Sequence, residues 1–496
     1  MSASGTNVAG GAAGDVTDGY EMVIGLEVHC QLKTRTKLFS AASAQFGDAP
    51  NANTDAVCLG LPGALPVLNR HAILLATRAS IGLECTVHDV SVFARKHYFY
   101  PDLPKGYQIS QFDRPLATSG RVVIGTNTDG SEKVIGITRV HVEEDAGKSV
   151  HDRFAGFSAI DLNRAGTPLI EIVSEPDLRS AADAGLYLRA LKQIIEYTEV
   201  SDASMEEGSL RVDVNISARP VGQVAFGTRT EIKNLNSFSG VERSIEIEFA
   251  RQCGVLRAGG VIEQRTMLWD GHKGEVRPAR AKEGSHDYRY FPEPDLPPLV
   301  LDAAWIQEQR DALVELPAAK RARFVSQYGL SNHDVDQLTA TVILADRFEQ
   351  VAKAGGDAKR AANWMLGTVL AAVNVRGGDV TSHPVSPQRL GALITLEVEG
   401  AVSNTAAKQI FAMLETEDAE PRALAEREGL LQVSDDGALV QWIDEVLAEL
   451  PEEAARFLAG EKKLQGVLVG AVMKKSKGSA DPKKVNQLLG KLPDTQ

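Results

Sequence analysis

Residues 210–216 read LRVDVNI, a strict alternation of aliphatic and polar side chains. Successive side chains of an extended strand point to opposite faces of a sheet. The four aliphatic residues are therefore predicted to face a core, and Arg211, Asp213 and Asn215 share the opposite face. Because this strand presents a cation, a carboxylate and an amide on one surface, the pattern predicts a β-sheet whose polar face binds charged ligands.

Three other strand-like segments carry isolated acidic side chains. They span residues 24–29, 137–144 and 169–173, and they hold Glu27 with His29, the adjacent acids Glu143 and Glu144, and Glu171. A carboxylate at the centre of a buried strand is costly unless it is paired or bound to metal. Each acid alone could equally lie on a solvated sheet face, although Glu171, with its aliphatic neighbours, fits that interpretation poorly. Together the acids favour a site for Mg²⁺ and a nucleotide, because Mg²⁺ prefers oxygen ligands.

The length and composition indicate a soluble protein with more than one domain. A chain of 496 residues predicts about three domains, and its 43% hydrophobic and 24% charged residues are typical of globular proteins. No apolar run reaches the length of a membrane span. Residues 1–19 are rich in small and polar residues and lack Lys and Arg, which predicts a disordered tail rather than a targeting peptide. The four cysteines show no paired spacing, so a cytoplasmic location is expected.

The charge is unevenly distributed along the chain. A net charge of −13 argues against a surface that attracts nucleic acid everywhere. From Glu461 to the C-terminus, however, eight lysines stand against three acidic residues. Such a segment could bind a phosphate backbone, or it could be an ordinary solvated helix face, and the composition leaves both interpretations open.

The first part of the chain, residues 20–298, has strand-like patterns interrupted by Gly, Pro, Asn and Asp. Two alternating runs within 121–137 flank Asp129-Gly130, which predicts a hairpin. The proline-rich run 292–298 then marks a boundary, since Pro is incompatible with regular helix and central strand.

Helical periodicity dominates the rest of the chain. Here helices are predicted at residues 303–328, 335–354, 359–375, 387–397 and 404–415, whereas two further helices, at 64–83 and 180–197, interrupt the strands of the first part. A break near Pro421 precedes a last helical unit with an apolar stripe at Leu439, Ile443, Val446 and Leu447. The sequence thus predicts an α+β body at 20–298, an all-helical domain at 299–420 and a small helical tail domain at 421–496.

Short catalytic motifs give weaker signals. Gly147-Lys148-Ser149 resembles the end of a P-loop, but that motif needs a glycine where Val142 stands, so Lys148 is at most an isolated phosphate contact. The Tyr- and Lys-rich segment 96–107 could stack a base and hold phosphates, or form a packed aromatic loop. Nothing in the sequence resembles a Ser/His/Asp or Cys/His relay. If the chain transfers nitrogen, it cannot easily make ammonia from glutamine by itself.

Longer motifs are far more specific. They read GLEVH at Gly25–His29, NRAGTPLIEIVSEPD at Asn163–Asp177 and MEEGSLRVDVN at Met205–Asn215, joined by EEDAGKS from Glu143 and YFPEPD from Tyr290. These motifs resemble the family of aspartyl/glutamyl-tRNA(Asn/Gln) amidotransferase B subunits, and the likeness covers essentially everything after Tyr20.

The resemblance implies a function, a fold and partners. Such a protein would use ATP and Mg²⁺ to phosphorylate the side-chain carboxylate of the amino acid on Glu-tRNA(Gln) or Asp-tRNA(Asn). Ammonia made from glutamine by a partner amidase (the A subunit) would then displace the phosphate, and a small C subunit would complete a heterotrimer. The implied body is a glutamine-synthetase-like antiparallel sheet with flanking helices, and the helical C-terminal domains would bind the tRNA.

The resemblance also implies site residues. The family's metal-binding positions fall on Glu27, His29, Glu144, Glu171 and Asp213. The predicted contacts to the nucleotide phosphates are Lys96, Lys148 and Arg211, and Asn215 is assigned to the same nucleotide site. Members of the family with a zinc site carry paired cysteines where this chain has Ser40, Ala42 and Asp55 beside Cys58, so zinc is not expected.

Two other classes of protein remain compatible with these residues. A Mg²⁺-dependent phosphohydrolase or nuclease could use the same acids, and a tRNA-binding scaffold protein could keep the helices and the basic tail without any ATP chemistry. ATP consumption that depends on an aminoacylated tRNA would distinguish the amidotransferase from both.

Overall fold

The computed structural model describes residues 16–154, 156–279, 288–432, 435–476 and 478–492. The chain divides into two compact units, Met1–Ala318 and Ala319–Gln496. Most of the predicted disordered tail, residues 1–15, lies outside the described residues. Among the helices of the described ranges, none has the length and apolar character needed to cross a bilayer.

The first unit holds the strands of the described residues. They are β1 (Tyr20–Gln31), β2 (Thr86–Val87), β3 (Val90–Ser91), β4 (Phe93–His97), β5 (Tyr107–Gln111), β6 (Ala117–Thr126), β7 (Glu132–Glu144), β8 (Lys148–Phe154), β9 (Phe157–Asp161), β10 (Pro168–Ser174), β11 (Leu210–Pro220), β12 (Thr230–Leu235), β13 (Thr266–Asp270), β14 (Glu275–Pro278), β15 (Phe291–Pro292) and β16 (Leu299–Val300).

Nine of these strands form one sheet, in the order β14-β13-β12-β11-β1-β10-β7-β6-β2. The predicted hairpin is confirmed, because β6 and β7 pair antiparallel around the Asp129-Gly130 turn. The sheet is not purely antiparallel as expected, since β12 and β13 run parallel. A parallel pair needs a long crossover, which the helix between these two strands supplies. Smaller sheets pair β15-β4-β5, β16-β3 and β8-β9.

The helices of the first unit share a core with the apolar face of this sheet; the first three pack against its strands, and the last packs against the first helix. They are α1 (Arg70–Gly82), α2 (Ala181–Tyr197), α3 (Phe238–Arg257) and α4 (Ala303–Asp311). Val212, Val214 and Ile216 of β11 are buried in the core between the sheet and these helices. Each fully buried aliphatic side chain contributes about 1.5–3 kcal/mol, which fixes the alternating strand with its polar face outward.

Capping residues set where these helices begin. The Ser180 side chain accepts a hydrogen bond from Asp183 N and so caps α2 at the start of the helix predicted for residues 180–197. The helix predicted from residue 64 begins only at Arg70, because the Asn69 side chain accepts from the amides of His71 and Ala72. The sequence did not predict α3, whose N-cap is Ser237.

The second unit is helical in its described residues. Its helices, with α5 starting at the boundary, are α5 (Pro317–Tyr328), α6 (Asn332–Leu338), α7 (Val342–Gly355), α8 (Ala358–Asn363), α9 (Leu370–Arg376), α10 (Pro387–Val398), α11 (Asn404–Leu414), α12 (Pro421–Arg427), α13 (Asp436–Glu449), α14 (Pro451–Leu458), α15 (Gln465–Lys475) and α16 (Pro482–Lys491).

Two hydrophobic cores organise this unit. Helices from α5 to α12 share one core, and α13 to α16 share a smaller one that contains Leu439, Ile443 and Val446 of the predicted stripe. Three predicted helices are interrupted: Pro317 starts a new helix, Thr341 caps α7, and a π-helical turn at Trp364–Val369 separates α8 from α9. The predicted α+β class with a helical C-terminal region is confirmed.

Candidate metal and nucleotide site

The register of three central strands brings the predicted acids together. On β1, Glu27 lies directly across from Asp213 of β11, and His29 lies across from Glu171 of β10. Residues opposite each other in adjacent strands point to the same face, so these four side chains share the polar face of the sheet. On that face the structure forms two groups in which three potential ligand atoms lie within 4.8 Å of one another.

The first group, called here the His29 group, consists of His29, Glu143 and Glu171. His29 Nε2 lies 3.2 Å from a Glu171 carboxylate oxygen and 3.6 Å from a Glu143 carboxylate oxygen. His141 Nε2 lies 3.6 Å from both carboxylates, and Arg139 lies 3.8 Å from Glu171. Glu143 and Glu171 are only 3% and 8% exposed, so their charges interact in a weakly screened environment.

The charges of this group hold its members ionised. Burial lowers the pKa of His29, but the hydrogen bond to Glu171 and the charges of Glu143 and Glu171 outweigh burial and raise it to about 9. Burial raises the pKa of Glu171, but His141 and His29 act against burial and hold that pKa well below its usual range. A cation that binds here must displace the proton of His29, because imidazole binds metal in its neutral form.

The second group, called here the Glu27 group, consists of Glu27, Asp213 and Glu231. Lys233 Nζ lies 2.5 Å from Asp213 and 2.8 Å from Glu231, and the Asn215 amide donates to Glu27 at 2.9 Å. Burial raises the pKa of Glu27, and the nearby charges of Glu171, Glu231 and Asp213 raise it further. One lysine faces three carboxylates, so the group carries excess negative charge.

Glu144, predicted as a metal ligand, belongs to neither group of the described residues. Its carboxylate accepts from Lys105 Nζ and from the Ile109 amide at 2.9 Å. Adjacent strand residues point to opposite faces, so the structure brings Glu143, not Glu144, to the acids. A cation-binding role for Glu144 stays a prediction.

The four predicted nucleotide contacts have different surroundings. Lys96 on β4 faces the His29 group: burial lowers its pKa, but the charges of Glu143 and Glu171 raise it above its ordinary value. Arg211 lies across from His29 and donates to Asp145 at 2.9 Å. Asn215 holds Glu27 as described. Lys148 is exposed on β8, outside the large sheet.

Aromatic rings lie beside Lys96. Its Nζ is 4.9 Å from the centroid of the Tyr288 ring, and Tyr288 contacts Tyr290 edge to face at 6.1 Å. Tyr290 in turn stacks on Phe112 with ring centroids 4.1 Å apart. Of the Tyr- and Lys-rich segment 96–107, Lys96 thus lies next to an aromatic surface formed by residues 112, 288 and 290. A role of this segment in binding a base stays a prediction.

Sequence reasoning missed several residues of the two groups. His141 lies two residues before Glu143, which the sequence had identified, so the alternation of β7 could have found it as well. Glu231 and Lys233 alternate with an aliphatic residue in the sequence, but their approach to Asp213 depends on the pairing of β11 with β12. Only a known strand order could have assigned them to the site.

The donor set fits a hard divalent cation. Each group offers carboxylate oxygens, and the His29 group adds one imidazole nitrogen. Mg²⁺ and Mn²⁺ accept both kinds of ligand.

In the loop where zinc was not expected, the buried Lys37 amine donates to Asn53 O and lies 3.4 Å from Cys58 Sγ. The prediction about zinc stays a prediction.

Comparison with known protein families extends these observations to most of the chain. The family model of the GatB/GatE catalytic domain matches residues 22–307, and that of the GatB domain matches residues 346–492. The first match contains both acid groups.

Curated relatives match over nearly their full lengths. An aspartyl/glutamyl-tRNA(Asn/Gln) amidotransferase B subunit of Alkalilimnicola ehrlichii is 50% identical, over 95% of this chain and 98% of its own. Proteins of the same description from Geobacter sulfurreducens and Thermosynechococcus vestitus are each 51% identical over 95% of this chain, and over 99% and 96% of their own lengths.

Proposed function

This chain belongs to the family of aspartyl/glutamyl-tRNA(Asn/Gln) amidotransferase B subunits, and we propose that it activates the amino acid of a mischarged tRNA. The membership confirms the resemblance of the motifs and the predicted class, one component of an amidotransferase. The proposed step is an ATP- and Mg²⁺-dependent phosphorylation of the side-chain carboxylate of Glu-tRNA(Gln), Asp-tRNA(Asn) or both. Ammonia then displaces the phosphate and leaves an amide.

The observation that carries this proposal is the convergence of both acid groups on one sheet face. Glu27, His29, Glu171 and Asp213, with Glu143 and Glu231, would hold the cation or cations. Bound Mg²⁺ supplies charge neutralisation between a triphosphate and a carboxylate that must approach each other. Carboxylates fixed on paired strands are suited to this task, because they need little reorganisation when charge develops.

Positively charged side chains around the groups have distinct proposed tasks. Lys96 and Arg211 flank the His29 group from two directions and would bind transferring phosphate oxygens. Asp145 orients Arg211, since its Oδ1 accepts from the guanidinium and its Oδ2 accepts from Gln31 at 3.0 Å. No general base is needed, because a side-chain carboxylate with a pKa near 4 is already ionised at neutral pH.

The partners follow from the proposed reaction. The relatives are described as B subunits, which supports a complex of several different chains. We assign the supply of ammonia to an amidase, the A subunit, and the joining of the chains to a small C subunit. The helical segments 299–420 and 421–496 are assigned to the tRNA. Exposed lysines of the tail, such as Lys474 and Lys483, suit a phosphate backbone. Charged tRNA occurs in the cytoplasm, which is the proposed location.

The test is reconstitution. The chain is co-expressed with candidate amidase and small partner chains, and each mischarged tRNA is assayed for conversion that requires glutamine, ATP and Mg²⁺. Formation of Gln-tRNA(Gln) or Asn-tRNA(Asn) is expected. A complex that assembles and binds tRNA but neither consumes ATP nor forms amide would contradict the proposal and support a scaffold function.

A further inference from the structure

A cavity of the first unit lies at the end of β12, the strand that carries Glu231 and Lys233 of the Glu27 group. Its volume is about 820 Å³, and it opens where α3 begins and where β13 turns into β14. The residues that line it include Asn234, Gly240, Arg243, Trp269, Gly271 and Arg277. We call this cavity the α3 cleft.

The charge of the α3 cleft is positive, on a chain whose net charge is −13. Arg243, Lys273 and Arg277 are exposed along it. Within the described ranges, neither Arg243 nor Arg277 has an acidic partner, and Lys273 lies 3.7 Å from Glu275. The carboxylate that lines the cleft, Asp270, accepts hydrogen bonds from two backbone amides of its own turn. Two arginines are therefore free to bind an anion.

A hydrogen-bond donor without an acceptor in the described residues also lines the α3 cleft. Trp269 is 5% exposed and lines the cavity, and its Nε1 has no acceptor among the residues that the structure describes. A Cβ at Gly240 would lie 3.0 Å from this nitrogen, and one at Gly271 would lie 3.4 Å from it. The two glycines thus keep space open in front of this donor, so that its nitrogen can be reached from the cleft. An acceptor from a ligand would satisfy it.

The position of the cleft relates it to the proposed reaction. Asn234 directly follows Lys233 of the Glu27 group and is three residues from Glu231, a distance of about 10 Å along β12. The amino acid of an aminoacyl-tRNA is esterified to its 3′-terminal nucleotide, so the neighbouring phosphates must lie close to the acid groups. A cavity of about 820 Å³ has the size of a ligand pocket rather than of a single-phosphate site.

We propose that the α3 cleft binds backbone phosphates of the single-stranded 3′ end of the tRNA. This assignment rests on the proposed function. Arg243 and Arg277 neutralise the phosphates, Trp269 Nε1 donates to a phosphate or sugar oxygen, and the amino end of α3 contributes its free amides and partial positive charge. The cleft would thereby fix the register that brings the amino acid to the acid groups.

The experiment compares two double variants of the full-length chain. Arg243→Gln/Arg277→Gln changes the cleft, and Arg257→Gln/Arg265→Gln is the matched control. The control removes the same charge from exposed arginines near the same helix and strand, at their other ends. Binding of uncharged tRNA(Gln) and tRNA(Asn) transcripts is measured by fluorescence anisotropy between about 50 and 200 mM salt.

For the cleft variant, the slope of log affinity against log salt concentration is expected to shrink by roughly 1.4, as for two lost single-strand phosphate contacts. The control is expected to keep the slope of the unmodified chain. Equal slopes for the two variants would overturn the proposal.

Two further probes test the identity of the ligand. With transcripts that lack the last four nucleotides, the cleft variant and the control are expected to bind alike. A difference that persists with these transcripts would overturn the assignment to the 3′ end. A change in ATP affinity without a change in the RNA slope would overturn the assignment to RNA. These measurements need neither glutamine nor catalysis, so a failed amidation assay contradicts the proposed function alone.

Discussion

In the His29 group, two buried carboxylates lie beside His29, His141, Arg139 and Lys96; in the Glu27 group, three carboxylates share one lysine. Both groups lie on the same face of neighbouring strands. Burial raises the pKa of both Glu171 and Glu27, yet the histidines bring that of Glu171 below its usual range, while the surrounding acids leave that of Glu27 above it. The balance of nearby charge, rather than burial, thus decides the charge state. A bound cation should therefore stabilise the Glu27 group more than the His29 group.

The largest expected effect tests the balanced group. Glu171→Gln removes a charge between His29 and His141, and amidation by the reconstituted complex should fall about 100- to 1000-fold, as expected when a preorganised electrostatic contact is lost. The tRNA affinity should stay unchanged. Glu175→Gln, an exposed carboxylate just beyond β10, is the control and should retain activity. Turnover retained by the Glu171 variant would remove this residue from the site.

The next effect concerns the group with excess negative charge. Asp213→Asn should raise the Mg²⁺ concentration needed for half-maximal activity by about 10- to 100-fold, because a charged oxygen ligand is lost. Activity is measured in a Mg²⁺ titration at saturating ATP. Glu21→Gln changes an acid on the same strand pair that is bound to Arg219, and it should not alter the Mg²⁺ requirement. An identical requirement in both variants would argue that the Glu27 group holds no cation.

Removal of the single lysine of the Glu27 group should make folding depend on metal. Without Mg²⁺, Lys233→Gln leaves three acids uncompensated, and the melting temperature should fall by about 2–4 °C for each kcal/mol lost. Added Mg²⁺ should restore most of this loss. Lys133→Gln also removes a lysine from an ion pair, with Asp183, but outside the acid groups. The fall in melting temperature caused by Lys133→Gln should not change when Mg²⁺ is added. An equal response of both variants to Mg²⁺ would contradict the excess negative charge assigned to the Glu27 group.

The smallest effect has the opposite sign. Glu27→Gln relieves repulsion within the Glu27 group, so the metal-free chain should melt roughly 1–2 °C higher than the unmodified chain, within the range of single surface-charge changes. The same variant should gain less stability from Mg²⁺. Melting curves recorded with EDTA and with excess Mg²⁺ measure both quantities. A lower melting temperature in EDTA would show that Glu27 is stabilising as an anion, contrary to the charge balance described above.

The contrast between Glu143 and Glu144 shows where prediction from the sequence stops. Both follow the same strand pattern, and a resemblance placed the ligand at Glu144. Which of the two lies with the other acids depends on which side chains of β7 share the sheet face of Glu171. Glu143 has the same orientation as His141, and His141 lies directly across from Glu171, a pairing that the sequence does not reveal. Helix lengths show a similar limit, because the caps at Asn69 and Thr341 shorten runs whose periodicity continues past them.

The sequence by itself determined the alternating strands, the polar side chains Glu27, His29, Glu171 and Asp213 that they carry, and the change to helices after the proline-rich boundary. These properties are local, since a period of two residues and a proline act within a few positions of the chain. Tertiary structure alone decided that Glu231 and Lys233 join Asp213, that β12 and β13 run parallel, and that Trp269 opens into a cleft. Strand order and register join residues far apart in the chain, and no local pattern encodes which distant strand becomes the neighbour.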